Sequence, residues 1–133
     1  MKEQVGWRER GAAAVEFAIL FPLLILLIAG IIDMGRLLFG QIMLTNAARE
    51  GARMVAMGQS AVNAEARAVA SMPMFTELVN DESPAQFNPG PACAPGGVAQ
   101  VTVSATDFDW VMLGFTGLAP PQPSATATMR CGG

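Results

Sequence analysis

The sequence predicts an α+β chain: a long N-terminal transmembrane helix continuing outside the membrane, a second short helix, and a small antiparallel β-hairpin or sheet. Three observations lead there. The segment Phe17–Ile32 carries no charged residue, the stretch Asp33–Met57 continues without a proline, and two stretches near the C-terminus alternate apolar and polar residues. The first is a membrane signal, the second suits a helix, and the third has the period of half-buried strands.

Composition bounds what such a chain can do. With 133 residues it has room for one domain, part of which is spent on the membrane segment. Only 14% of residues are charged and the net charge is −3, with no Lys/Arg cluster among aromatics, so nucleic-acid binding has no support. There is no His and only two Cys, which removes most metal sites and most nucleophile–base chemistry. No catalytic residue, metal site or cofactor is expected, and the chain reads as a non-enzyme.

Taking the elements in order, Ala12–Glu16 extends the apolar run to about the 20 residues that cross a bilayer. Lys2, Arg8 and Arg10 precede it and favour a cytoplasmic N-terminus, a bias weakened by Arg36 soon after. A cleaved secretory signal peptide is the rival reading, but no A-x-A pattern closes the run. Pro22 should kink the helix, or be tolerated near its first turns. Glu16 is the anomaly: an acid in an apolar helix costs roughly 2.5–3.5 kcal/mol at the bilayer centre and normally has a partner. It either sits solvated at headgroup level or does something specific.

Its context is Gly11-Ala12-Ala13-Ala14-Val15-Glu16-Phe17, directly after the charged Arg8-Glu9-Arg10. This resembles the prepilin peptidase site of type IV pilins, where cleavage follows a glycine and Glu is the fifth mature residue. Farther on, Asp33-Met34-Gly35-Arg36 and Thr45-Asn46-Ala47-Ala48-Arg49-Glu50-Gly51-Ala52-Arg53 follow. Together with Arg10-Gly11, Val15-Glu16-Phe17-Ala18 and Pro22-Leu23-Leu24, these resemble the signature of the TadE-like family, minor pilins (pseudopilins) of bacterial tight-adherence, Flp-type type IVb pilus systems. The resemblance spans roughly residues 10–57 and implies a pilin-like fold. It implies a leader 1–11, a transmembrane helix 12–32, an extension 33–57 and a small periplasmic α+β module 58–133. Processing would involve Gly11, Ala12, Glu16 and Phe17, with the freed Ala12 amine neutralising Glu16. The implied partners are a prepilin peptidase, the major Flp-type pilin, other pseudopilins, inner-membrane platform proteins and membrane lipid. The implied location is the bacterial inner membrane, single-pass, N-terminus cytoplasmic. A second reading is an unprocessed single-pass accessory or binding protein of a secretion or envelope complex.

Beyond the membrane, Leu37, Leu44, Ala48 and Val55 share one helix side, with Asn46, Arg49, Glu50 and Arg53 opposite. Arg49, Glu50 and Arg53 either pair within the helix or bridge to adjacent subunits in assembly. Small residues at four-residue intervals (Ala48, Ala52, Ala56; Ala47, Gly51) admit a close neighbour, either another subunit or the chain's own domain. Ser60 is a plausible N-cap for a second helix, Ala61 to about Met72, with Val62, Ala66 and Val69 on its packed face and Pro73 ending it. The Pro/Asn/Gly-rich 80–97 reads as loop. Val101, Val103 and Ala105 on one strand and Ala125, Ala127 and Met129 on another predict an antiparallel pair. Between them, the segment Asp107–Pro123 is read as the module's tip, with Asp107 and Asp109 keeping its start solvated. Its apolar residues either fold inward as a lid or present Trp110 and Phe115 to a partner. Cys93 and Cys131 are expected to form a disulfide in an oxidising compartment, two unrelated thiols being the alternative.

Overall fold

The computed structural model describes residues 5–78, 85–115 and 121–132, without the side chains of 5–10, 76, 77 and 115. One helix dominates it. Helix α1 runs Val5–Ala56, about 78 Å at 1.5 Å per residue. It passes Pro22 without interruption and does not break where the apolar run ends. Gly58, at φ +76°, closes it, and Ser60 caps helix α2 (Ala61–Ala70) by accepting a hydrogen bond from the Asn63 backbone N–H. A 3-10 turn, Phe75–Leu78, follows.

Strands β1 (Ala85–Asn88), β2 (Val98–Ala105) and β3 (Ser124–Arg130) form an antiparallel sheet in the order β1-β2-β3. The β2–β3 pair has the expected alternation: Val101 faces Ala127, Val103 faces Ala125, and Ala99 faces Met129. On the outer face the Thr102 and Thr126 hydroxyls are 2.9 Å apart, a cross-strand polar pair. Strand β1 falls in the stretch read as loop, with Phe87 opposite Val103. It is a third, edge strand, only four residues long and followed by Pro89, which limits further pairing on that edge.

The sheet and α2 both pack on the outer half of α1. Leu44, Phe75, Val101, Val103 and Phe108 are the largest fully buried side chains. Beneath them α1 presents Ala47, Ala48, Gly51, Ala52 and Val55, all buried. The small residues therefore admit the chain's own sheet. A Cβ on Gly51 would lie 2.6 Å from a Phe87 ring carbon, so only glycine lets β1 and α1 approach this closely. The face of α2 differs from expectation. Val62, Ala66 and Val69 are exposed, while Ala64 and Ala68 are buried. Close helix–helix approach favours the methyl groups, and the bulkier valines point away.

Candidate functional site

The loop Asp107–Leu113 does not project as a tip. It folds back on α1, where successive residues are fixed from different directions. Phe108 is buried against Gly40, whose Cβ, were there one, would stand 2.9 Å from the ring. The Phe108 N–H donates to Gln122 Oε1 at 2.8 Å and the Asp109 N–H to the Leu78 carbonyl at 2.9 Å. Asp109 is not simply solvated, because Arg36 reaches it at 2.8 Å. Trp110 is half-buried, its ring 5.2 Å from Phe108 in an edge-on arrangement. Of the two residues named as contacts, Trp110 thus belongs to the packed loop, and the Phe115 side chain lies outside the described residues.

Asp33 holds the end of this loop. Its carboxylate is only 5% exposed and accepts the Val111 N–H at 2.6 Å and the Met112 N–H at 2.7 Å. Two short bonds to an acceptor with several lone-pair sites satisfy a buried carboxylate and two amides together. Seating the loop also strands polar atoms: among the described residues Trp110 Nε1 and Arg36 Nε are buried without a partner. Asp33, Arg36 and Gly40 lie on one side of α1 at spacings of three and four, so a single helix face carries the clamp. The sequence singled out Asp33-x-Gly-Arg36 as a motif without assigning it a job. Its job here is to dock a loop more than 70 residues away.

Inward from Asp33, α1 is bare. It is long and apolar enough to cross a membrane, with a mean hydropathy of 2.7 in its best window and none of that window buried. Leu20, Leu23, Leu24, Leu26 and Ile31 are all exposed. Gly11, Ala12, Glu16 and Phe17 follow one another on this helix, all exposed, with the Phe17 and Phe21 ring centroids 5.4 Å apart and the rings tilted by 37°. Glu16 has no ion-pair partner among the described residues. An isolated carboxylate on a lipid-type surface is costly and calls for a counter-charge from elsewhere.

Arg49, Glu50 and Arg53 occupy the outer half of α1. Glu50 lies 3.8 Å from Arg53 and 3.4 Å from Arg67 of α2, a partner the helix pattern alone did not disclose. Arg49 is exposed and has no ion pair among the described residues. Both bridges leave the arginines well exposed and so contribute little to stability. They line an open hollow with Asn46, Ser71 and Met129. Cys93 and Cys131 face each other at disulfide distance, Cα atoms 5.7 Å apart, within the range a disulfide requires.

Compared with known families, residues 11–53 match a family model described as TadE-like protein. That is the family the motifs resemble. No curated protein and no solved structure matches the chain. The TadE-like match begins at Gly11 and stops inside α1, so it covers the bare apolar run, the Asp33–Arg36 clamp and the Ala47–Arg53 run. Residues 54–133, with α2 and the sheet, lie outside it. The TadE-like family is a pilus-associated structural family, and the match points to involvement in tight-adherence pilus systems, with pilus-assembly partners as a class. One long apolar N-terminal helix fits a single-pass membrane protein of that kind.

Proposed function

We propose that this chain is a minor pilin, or pseudopilin, that takes part in assembling a tight-adherence, Flp-type pilus. It is anchored in the bacterial inner membrane by residues 12–32, with its N-terminus cytoplasmic and the module 58–133 periplasmic. A prepilin peptidase removes residues 1–11. The major Flp-type pilin, other pseudopilins and the platform proteins are its partners.

The observation that carries this reading is Glu16. It is exposed on the apolar helix with no ion-pair partner among the described residues, in the TadE-like segment, at the fifth position after Gly11. Ala12 and Glu16 are four residues apart, neighbours on one helix face. Cleavage after Gly11 turns the Ala12 nitrogen into a free amine within one turn of the carboxylate. In a low-dielectric layer an unpaired charge is expensive, so the carboxylate selects a matching amine, in the same chain or in a neighbouring subunit. The uncut chain has no such amine there. Processing is thereby linked to assembly by charge alone.

The test is Glu16→Leu in cells that make the pilus. The apolar run is long enough to insert without the carboxylate, so the variant reaches the membrane in normal amount and fails to support piliation. Normal piliation would mean that Glu16 is an incidental, solvated acid and would overturn the assembly role assigned to it.

A further inference from the structure

The clamped loop ends at the place where the bare part of α1 begins. Val111 and Met112 line an apolar groove whose other wall is Phe21, Pro22, Ile25, Leu26 and Ala29. Met112 Sδ comes within 4.0 Å of where a Gly30 Cβ would stand. Pro22, Leu26, Ala29 and Asp33 recur at spacings of three and four, so the groove continues the clamp's own helix face inward. Above Asp33 that face is covered by the chain's sheet and loop; below it, among the described residues, only Val111 and Met112 lie against it.

We propose that Val111 and Met112 enter the external leaflet and that lipid acyl chains fill this groove. The loop is then a second membrane contact, beside the spanning helix. The groove is continuous with the apolar surface that is exposed all around α1 from Val15 to Ile32, and lipid is the solvent of such a surface. Backbone amides at membrane depth must be satisfied within the protein. The Val111 and Met112 amides meet that condition through Asp33, without needing water. The charges nearby are arranged to match. Asp109 and Arg36 neutralise each other on the outer side of the contact, with the half-buried Trp110 beside them. The consequence is orientation: the α+β module is held against the membrane surface by two points and cannot swing freely about α1.

The inference rests on residues 12–32 spanning a bilayer, and the experiment separates the two. The full chain is reconstituted in phosphatidylethanolamine–phosphatidylglycerol vesicles in a Trp7→Phe/Trp110→Phe background, which removes both native tryptophans. Met112→Trp or Leu20→Trp then supplies the only indole. Lipids brominated on their acyl chains quench the Met112→Trp chain to a degree comparable with the Leu20→Trp chain, while aqueous iodide leaves both unaffected. If Leu20→Trp is quenched but Met112→Trp answers to iodide, or to neither quencher, the groove is filled by water or by protein and the inference is overturned. If Leu20→Trp also escapes the brominated lipid, the spanning helix fails and the inference with it. Native Trp110 in the single Trp7→Phe chain is the check on folding: shallow bromine quenches it if the loop keeps its seat, and quenching by iodide alone would also overturn the proposal.

Discussion

Replacing Asp33 with alanine removes the acceptor of two short backbone bonds, to Val111 and Met112, in a site only 5% exposed. Hydrogen bonds to a charged group contribute about 1.5–3 kcal/mol each, so the pair sets an upper range of roughly 3–6 kcal/mol. The loop can swing outward and rehydrate its amides, which limits the loss to the lower end, about 3 kcal/mol. The damage is local, because Phe108 and the sheet keep their own contacts. In opening equilibrium that is on the order of a hundredfold. Amide hydrogen exchange of the full-length chain in detergent, read by mass spectrometry on the peptide holding Val111 and Met112, measures it directly. Asp33→Asn retains one carbonyl acceptor and falls between. Arg36→Ala, which breaks a pair with side chains 25% and 42% exposed, costs less than about 1 kcal/mol. Unchanged exchange in the Asp33→Ala chain, or a larger effect from Arg36→Ala, would refute the clamp.

The remaining predictions concern the rest of the module. Cys93 and Cys131, 38 residues apart in sequence, are bonded in the mature protein, and the closed loop stabilises by about 4 kcal/mol in the chain-entropy model. Alkylation without reductant followed by intact mass shows no added label, whereas two labels would show free thiols. Gly51→Val drives a side chain into Phe87 and Val101 and costs about 1–3 kcal/mol by overpacking; an unchanged melting temperature would contradict the close α1–β1 approach. Phe108→Ala empties a fully buried site and costs about 3–5 kcal/mol. Trp110→Ala, from a half-buried position, lowers the melting temperature less, and the reverse order would show that the loop is seated differently.

Much of the fold was legible because it rests on periodicity. The apolar run Phe17–Ile32 and the alternations around Val101–Ala105 and Ala125–Met129 record their environments in residue type. What stayed hidden lacks such a record. Ala85-Gln86-Phe87-Asn88 is too short and too close to proline to read as a strand, although Phe87 seats it on Gly51. On α2, hydrophobicity pointed to Val62 and Val69, yet the packed face is Ala64 and Ala68, because approach distance decided and not side-chain size. The loop carried signals for both an inward lid and an exposed patch, and Phe108 settles the first for its buried part. Asp33 was the least legible. A carboxylate at the end of an apolar run reads as a boundary charge, and its partners are backbone N–H groups that leave no trace in sequence. The processing motif is the opposite case: Gly11 and Glu16 are conspicuous in sequence and have no partner among the described residues.

The reading of the chain as a processed, assembling pilin subunit turns on its N-terminus. Among the described residues no atom lies within 4 Å of where a Gly11 Cβ would stand, so no packing contact among them accounts for the glycine. Mass spectrometry of the protein isolated from the membranes of pilus-forming cells decides the matter. The account predicts a chain that begins at Ala12 in cells with prepilin peptidase, and at Met1 when the peptidase is absent or Gly11→Leu blocks it. A wild-type chain that still begins at Met1 in the presence of the peptidase would contradict it.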